Sequence, residues 1–108
     1  MGHYCLEREA SGDFAFRLKG EDRRTLLESA GYPTRDAALA GIVALRLNAA
    51  NDERWDRILT ANGAYFVLRT GEGWAVVRSC LYASGEALEE AIGRVKGAFN
   101  TALILEGC

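Results

Sequence analysis

Phe14-Ala15-Phe16-Arg17-Leu18-Lys19 and, fifty positions on, Ala64-Tyr65-Phe66-Val67-Leu68-Arg69 decide how this chain is read. Slid against itself by that offset, segment 14–49 falls on 64–99 without a gap. Phe16 meets Phe66, Leu18 meets Leu68, Ser29 meets Ser79, Tyr32 meets Tyr82 and Ile42 meets Ile92. Lys19 matches Arg69 in kind, as Thr34 matches Ser84, Asp36 matches Glu86 and Arg46 matches Lys96. A period this long marks two copies of one supersecondary unit.

Each copy alone, at about 50 residues, would be only marginally stable. The 108 residues, 49% of them apolar, therefore read as a single domain in which two repeats, 3–50 and 53–106, share one core. The join at Ala50-Asn51-Asp52 carries no Pro or Ser run. A net charge of −2 marks neither a bulk electrostatic nucleic-acid binder nor an acidic tail. No apolar run is long enough to span a bilayer. Met1-Gly2-His3-Tyr4-Cys5 lacks the basic start and apolar stretch of a signal peptide. No membrane contact and a cytoplasmic location are expected.

Cys5, Cys80 and Cys108 are far apart and form no C-x-x-C pair. A zinc site needs four ligands in recognisable pairs. Isolated reduced thiols are expected, with no metal and no cofactor. Cys108 would cross-link chains in air only as an artefact.

The first copy alternates cleanly. Phe14, Phe16 and Leu18 share one strand face and Arg17 and Lys19 the other, the pattern of a sheet covered on one side. Strands are expected at 4–9, 14–19 and 25–30, then a helix capped by Thr34 and running to Asn48, with Asn48 and Asn51 stopping it. The second copy repeats the plan with strands at 55–60, 65–69 and 74–80. Asn62-Gly63 is a hairpin signal, since both positions tolerate positive φ. Ser84 caps the second helix, which ends near Ala98. Segment 101–106, Thr-Ala-Leu-Ile-Leu-Glu, is too apolar for a tail and reads as a last, paired strand.

Leu88, Ala91, Ile92, Val95 and Phe99 form an apolar stripe on the second helix, matched by Ala38, Gly41, Ile42, Leu45 and Ala49 on the first. The first helix has another stripe, Leu39, Val43 and Leu47, where the second has Glu89, Gly93 and Gly97. Size complementarity predicts that Val43 and Leu47 fill the space above Gly93 and Gly97. The rival reading is an exposed stripe that binds a partner or makes a dimer.

Phe14-x-Phe16-Arg17-Leu18-Lys19, Ser29-x-x-Tyr32 and Gly41-Ile42-x-x-Leu45-Arg46-x-Asn48 resemble the YegP-like family of small bacterial proteins of unknown function. Asn62-Gly63, Phe66-x-Leu68-Arg69, Ser79-x-x-Tyr82 and Ile92-x-x-Val95-Lys96 repeat the pattern. The second copy departs from it at Ala91 and Ala98, where the family's pattern has Gly and Asn. The resemblance implies an α+β fold, a tandem of β-β-β-α-β units in one mainly antiparallel sheet with both helices on one face. It also implies that strands 55–60 and 103–105 are exchanged between the units. It carries no activity.

Catalysis is not expected. The only histidine, His3, lies near the chain start. Gly71-Glu72-Gly73 lacks the Lys-Ser/Thr and helix of a phosphate loop. Ser29, Tyr32, Ser79 and Tyr82 read as partners of the strand-to-helix turns that pack against the helices. Two binding classes remain. The first is a protein-interaction or structural module using an edge strand or the Leu39/Val43/Leu47 stripe. The second is a sheet-face binder of single-stranded nucleic acid or a flat ligand, using Arg17, Lys19, Tyr65 and Arg69. The interaction module is the expected function and nucleic acid is not the expected partner. A monomer is expected because one chain supplies both repeats, with a homodimer as the alternative.

Overall fold

The structure, a computed structural model, describes residues 2–106. Strands β1 (His3–Arg8), β2 (Phe14–Lys19) and β3 (Thr25–Ser29) lead into helix α1 (Arg35–Asn48). A short 3-10 turn, Asp52–Arg54, precedes β4 (Trp55–Thr60), β5 (Gly63–Arg69) and β6 (Ala75–Arg78). Helix α2 (Gly85–Ala98) and β7 (Leu103–Glu106) complete the chain. The seven strands form one mixed sheet in the order β4-β5-β6-β3-β2-β1-β7, with β7 parallel to β1 and every other pair antiparallel. The expected α+β class holds.

Both helices begin as their sequences dictate. Thr34 Oγ1 accepts the Ala37 N–H at 3.1 Å, and Ser84 Oγ accepts that of Ala87 at 3.2 Å. Each bond satisfies an orphan donor of the first turn. Asn48 donates to the Ala44 carbonyl, and Asn51 caps the 3-10 turn through the Glu53 N–H.

The strand ends differ slightly from expectation, for local reasons. Trp74 is outside β6 because the Thr70 N–H donates to the Trp74 carbonyl while the Trp74 N–H donates to Thr70 Oγ1, which closes the turn. Residues 101–102 are outside β7 because their N–H groups still bond the Ala98 carbonyl at the end of α2. Register slips occur at Leu18/Lys19 and again, fifty positions later, at Leu68/Arg69. Each slip accompanies two consecutive buried residues on the facing strand, Leu26 and Leu27 or Val76 and Val77.

Phe16, Leu18, Leu27, Phe66, Leu68 and Val77 from the sheet join Ile42, Leu45, Ile92 and Val95 from the helices in one apolar cluster. Aromatic rings fill both halves alike. Phe16 meets Tyr4 edge-on and stacks on Tyr32 at 6.2 Å, while Phe66 meets Trp55 edge-on and stacks on Tyr82 at 6.3 Å. The helix ends are tied crosswise. Trp55 Nε1 donates to the Ala49 carbonyl at 3.0 Å, and Tyr4 Oη donates to the Phe99 carbonyl at 2.6 Å. So the first strand of each half holds the C-terminus of the other half's helix.

The expected strand exchange is present. The strand after α1 pairs with β5 in the second half. The strand after α2 crosses to the first half, where β1 already fills the slot beside β2, and lies one place further out.

Two expectations fail. Val43 and Leu47 are 53% and 76% exposed, and nothing lies within 4 Å of where a Cβ on Gly93 or Gly97 would stand. The stripes do not interlock, because α1 and α2 pack their buried residues down onto the sheet rather than against each other. Nor are the cysteines all isolated thiols. Cys80 is free and exposed, Cys5 is disulfide-bonded, and Cys108 lies outside the described residues.

Burial pushes the Tyr4 phenol up to about 12, against the pull of the Arg46 guanidinium. Tyr82 is pushed up to about 12 by burial and by its hydrogen bond with Cys80, and Tyr32 is raised by burial. The folded state thus favours the neutral phenols. For Tyr4 and Tyr82 the contribution is complete below the ordinary tyrosine value of 10 and is lost as pH rises from there through about 12. Urea midpoints are expected to be level from about pH 7 to 9 and to fall steeply above about 10. Tyr4→Phe, less stable at neutral pH, should show a shallower fall. An equal fall would contradict the assignment.

Candidate binding surfaces

Register brings Cys5, Arg17, Glu28, Arg78, Val67 and Asp56 into one row across the sheet. The row lies on the face opposite the helices. Arg17 reaches Glu7 at 3.8 Å and Glu28 at 3.5 Å. Arg69 reaches Asp56 at 3.2 Å and also donates to the Gly73 carbonyl. Two of the cations expected to meet a ligand are therefore ion-paired within the sheet. Exposed pairs of this kind contribute only about 0–1 kcal/mol.

Tyr65 and Arg69 line one concavity of about 480 Å³ with Ile58, Val67, Arg78 and Glu28. Arg17 and Lys19, on β2, stand outside it. Of the four sheet-face candidates, two are thus brought together and two are not. Val67 shares the open face with Tyr65 and Arg69 as the strand alternation implies, whereas Ile58 and Arg78 were missed. Their signal was available in the pairing of Ile58 with Tyr65 and of Val67 with Arg78, which emerges only once the register is known.

The second candidate surface lies at the β7 edge. Helix α1 is fixed beside it by the Arg35–Glu106 ion pair and by Arg46, whose Nη2 donates to the Ala102 carbonyl at 3.0 Å. The Arg46 guanidinium also lies over the Tyr4 ring, 5.2 Å from its centre. Leu39 is half-buried against the core, whereas Val43 and Leu47 project outward. Leu103 on β7 is 69% exposed.

The repeated hydroxyls are committed to the backbone. Ser29 Oγ accepts the Phe16 N–H and donates to the Ala30 carbonyl, both at 2.9 Å. Ser79 Oγ does the same for Phe66 and Cys80, at 3.0 and 2.8 Å. Tyr32 and Tyr82 bridge Phe14 and Ala64 through their backbones while their rings pack under the helices. Among the described residues no group of His, Cys, Asp and Glu is placed to hold a metal ion. Among the described residues no helix is long and apolar enough to cross a membrane.

The family model for a domain of unknown function, DUF1508, matches residues 9–56. A UPF0339 protein encoded in the 5′ region of the ptx operon of Stutzerimonas stutzeri is 32% identical, over 97% of this chain and 96% of its own. UPF0339 protein YegP of Escherichia coli is 30% identical over 88% and 87%. The chain belongs to the UPF0339 family. The solution NMR structure of YegP, a protein of unknown function from E. coli, superposes with a TM-score of 0.91 at 27% identity, covering 98% of this chain and 92% of that one. A UPF0339 protein from Shewanella oneidensis gives the same TM-score at 25% identity, over 97% and 90%. None of these family members is named for an activity or a specific function, so the family supplies the fold and leaves chemistry to the surfaces.

Ser79→Ala would leave the buried Phe66 N–H without its acceptor. A loss of about 1–3 kcal/mol is expected, read as a lower urea midpoint at unchanged m-value. A midpoint equal to that of the unaltered protein would show that the hydroxyl has no structural role.

Proposed function

We propose that this protein is a non-catalytic protein-interaction module that meets a polypeptide partner through Val43 and Leu47 on α1, with half-buried Leu39 at the rim. One observation carries the reading: two large apolar side chains stand exposed on a helix that other contacts already hold. The fold does not call for bulk there. The matching α2 positions are Glu89, bonded to Arg57, and Gly93 and Gly97, which face open space. The committed serine hydroxyls and the absence of a second histidine beside His3 support a role without catalysis. Both halves being present in one chain, as from a tandem duplication, supports a single domain that acts as a monomer, and we place its action in the cytoplasm. The ion pairing of Arg17 and Arg69 favours a protein partner over single-stranded nucleic acid.

Val43→Asp and Leu47→Asp test this in the full-length protein. Both variants are expected to keep the thermal midpoint of the unaltered protein. Sedimentation and cross-linking in host extract should show the heterologous complex weakened about tenfold or more, as loss of a buried apolar contact implies. Unfolding of the variants would make the stripe part of the core. A complex that survives both changes, or sedimentation as a homodimer alone, would overturn the reading.

A further inference from the structure

The two halves of the open sheet face occupy matching backbone positions and carry different chemistry. In the first half Glu7 faces Ala15, and Arg17 holds both Glu7 and Glu28. That surface satisfies its own charges. At the corresponding pairing in the second half Ile58 faces Tyr65, and Val67 faces Arg78. Tyr65 replaces Ala15, Val67 replaces Arg17, Ile58 replaces Glu7 and Arg78 replaces Glu28. The first half shows that this scaffold needs neither the apolar floor nor the second guanidinium.

Arg78 stands opposite Glu28 across the β3–β6 junction, yet the Glu28 carboxylate is turned to Arg17. Among the described residues the Arg78 guanidinium has no hydrogen-bond or ion-pair partner. It rims the 480 Å³ concavity and, with Tyr65, a smaller adjoining one of about 300 Å³ toward Ser79, Cys80 and Leu81. A sheet floor of Ile58, Val67 and the Tyr65 ring suits a flat apolar body. An unpaired guanidinium at its margin suits a carboxylate, which it meets with two parallel hydrogen bonds.

We propose that the face formed by Ile58, Tyr65, Val67 and Arg78 binds a small planar aromatic carboxylate. The ring lies on the apolar floor and the carboxylate on Arg78. Arg69, held by Asp56, borders the same concavity and adds positive charge at low cost if that exposed pair opens. This site is separate from the α1 stripe and stands whether or not that stripe binds a protein.

The test is a titration of the isotope-labelled full-length chain with 2-naphthoate, followed by amide NMR shifts. Saturable shifts are expected at Ile58, Tyr65, Val67 and Arg78, with Ala15 and Arg17 as internal controls that stay put. The neutral 2-naphthylmethanol should bind about tenfold or more weaker, and Arg78→Gln should weaken 2-naphthoate to a similar degree. Tyr65→Ala, which installs the first half's residue, should also weaken binding. If it disturbs the fold, Tyr65→Ser and Arg78→Gln carry the test. Absence of saturable shifts up to about 5 mM would overturn the proposal. So would equal shifts in both halves, undiminished binding by Arg78→Gln, or shifts produced by oligothymidylate and not by 2-naphthoate.

Discussion

The carbonyls of Ala49 and Phe99 stand where each helix runs out of intrahelical donors. A helix end brought down onto a core must find a partner for such groups. Here the donors are Trp55 Nε1 and Tyr4 Oη, each on the first strand of the opposite half. The same rings pack edge-on against Phe66 and Phe16. One pair of side chains therefore satisfies the helix ends, fills the core and ties the halves together. The direct sheet contact at the central seam is short, only Glu28 with Arg78 and Ser29 with Val77, and the crossing strand β7 adds its parallel pairing with β1 at the far edge. The crossed helix ends and the shared apolar cluster must supply the rest of the connection.

Local chemistry made much of this legible in the sequence. Thr34 and Ser84 announced both helix starts, and period-two alternation announced β2 and β5. The crossed bonds were not legible, because Tyr4 and Trp55 are different residues and fall just outside the matching segments. Helix orientation was not legible either. Size matching alone put Val43 and Leu47 over Gly93 and Gly97, but a helix turns its most apolar arc to the sheet and that arc was already full. The pairing of Arg17 and Arg69 with carboxylates depends on neighbours in space from other strands, which periodicity within one strand does not report.

The differences between matching positions carry the functional reading. Where both halves keep the same residue, as with Ser29 and Ser79, the structure gives a shared backbone task. Where they part, the scaffold tolerates either side chain. The α1 stripe and the second half's open face are two such places, on opposite sides of the sheet. One presents aliphatic bulk and the other an apolar floor with an unpaired guanidinium.

Crossed helix ends make two similar halves behave as one unit. Amide hydrogen exchange on Trp55→Phe, which keeps a ring and removes the donor, tests it most directly. Protection in β2 and β5 is expected to fall together, by about five- to thirtyfold for a lost buried hydrogen bond. Loss confined to β5, with β2 exchanging as before, would contradict it.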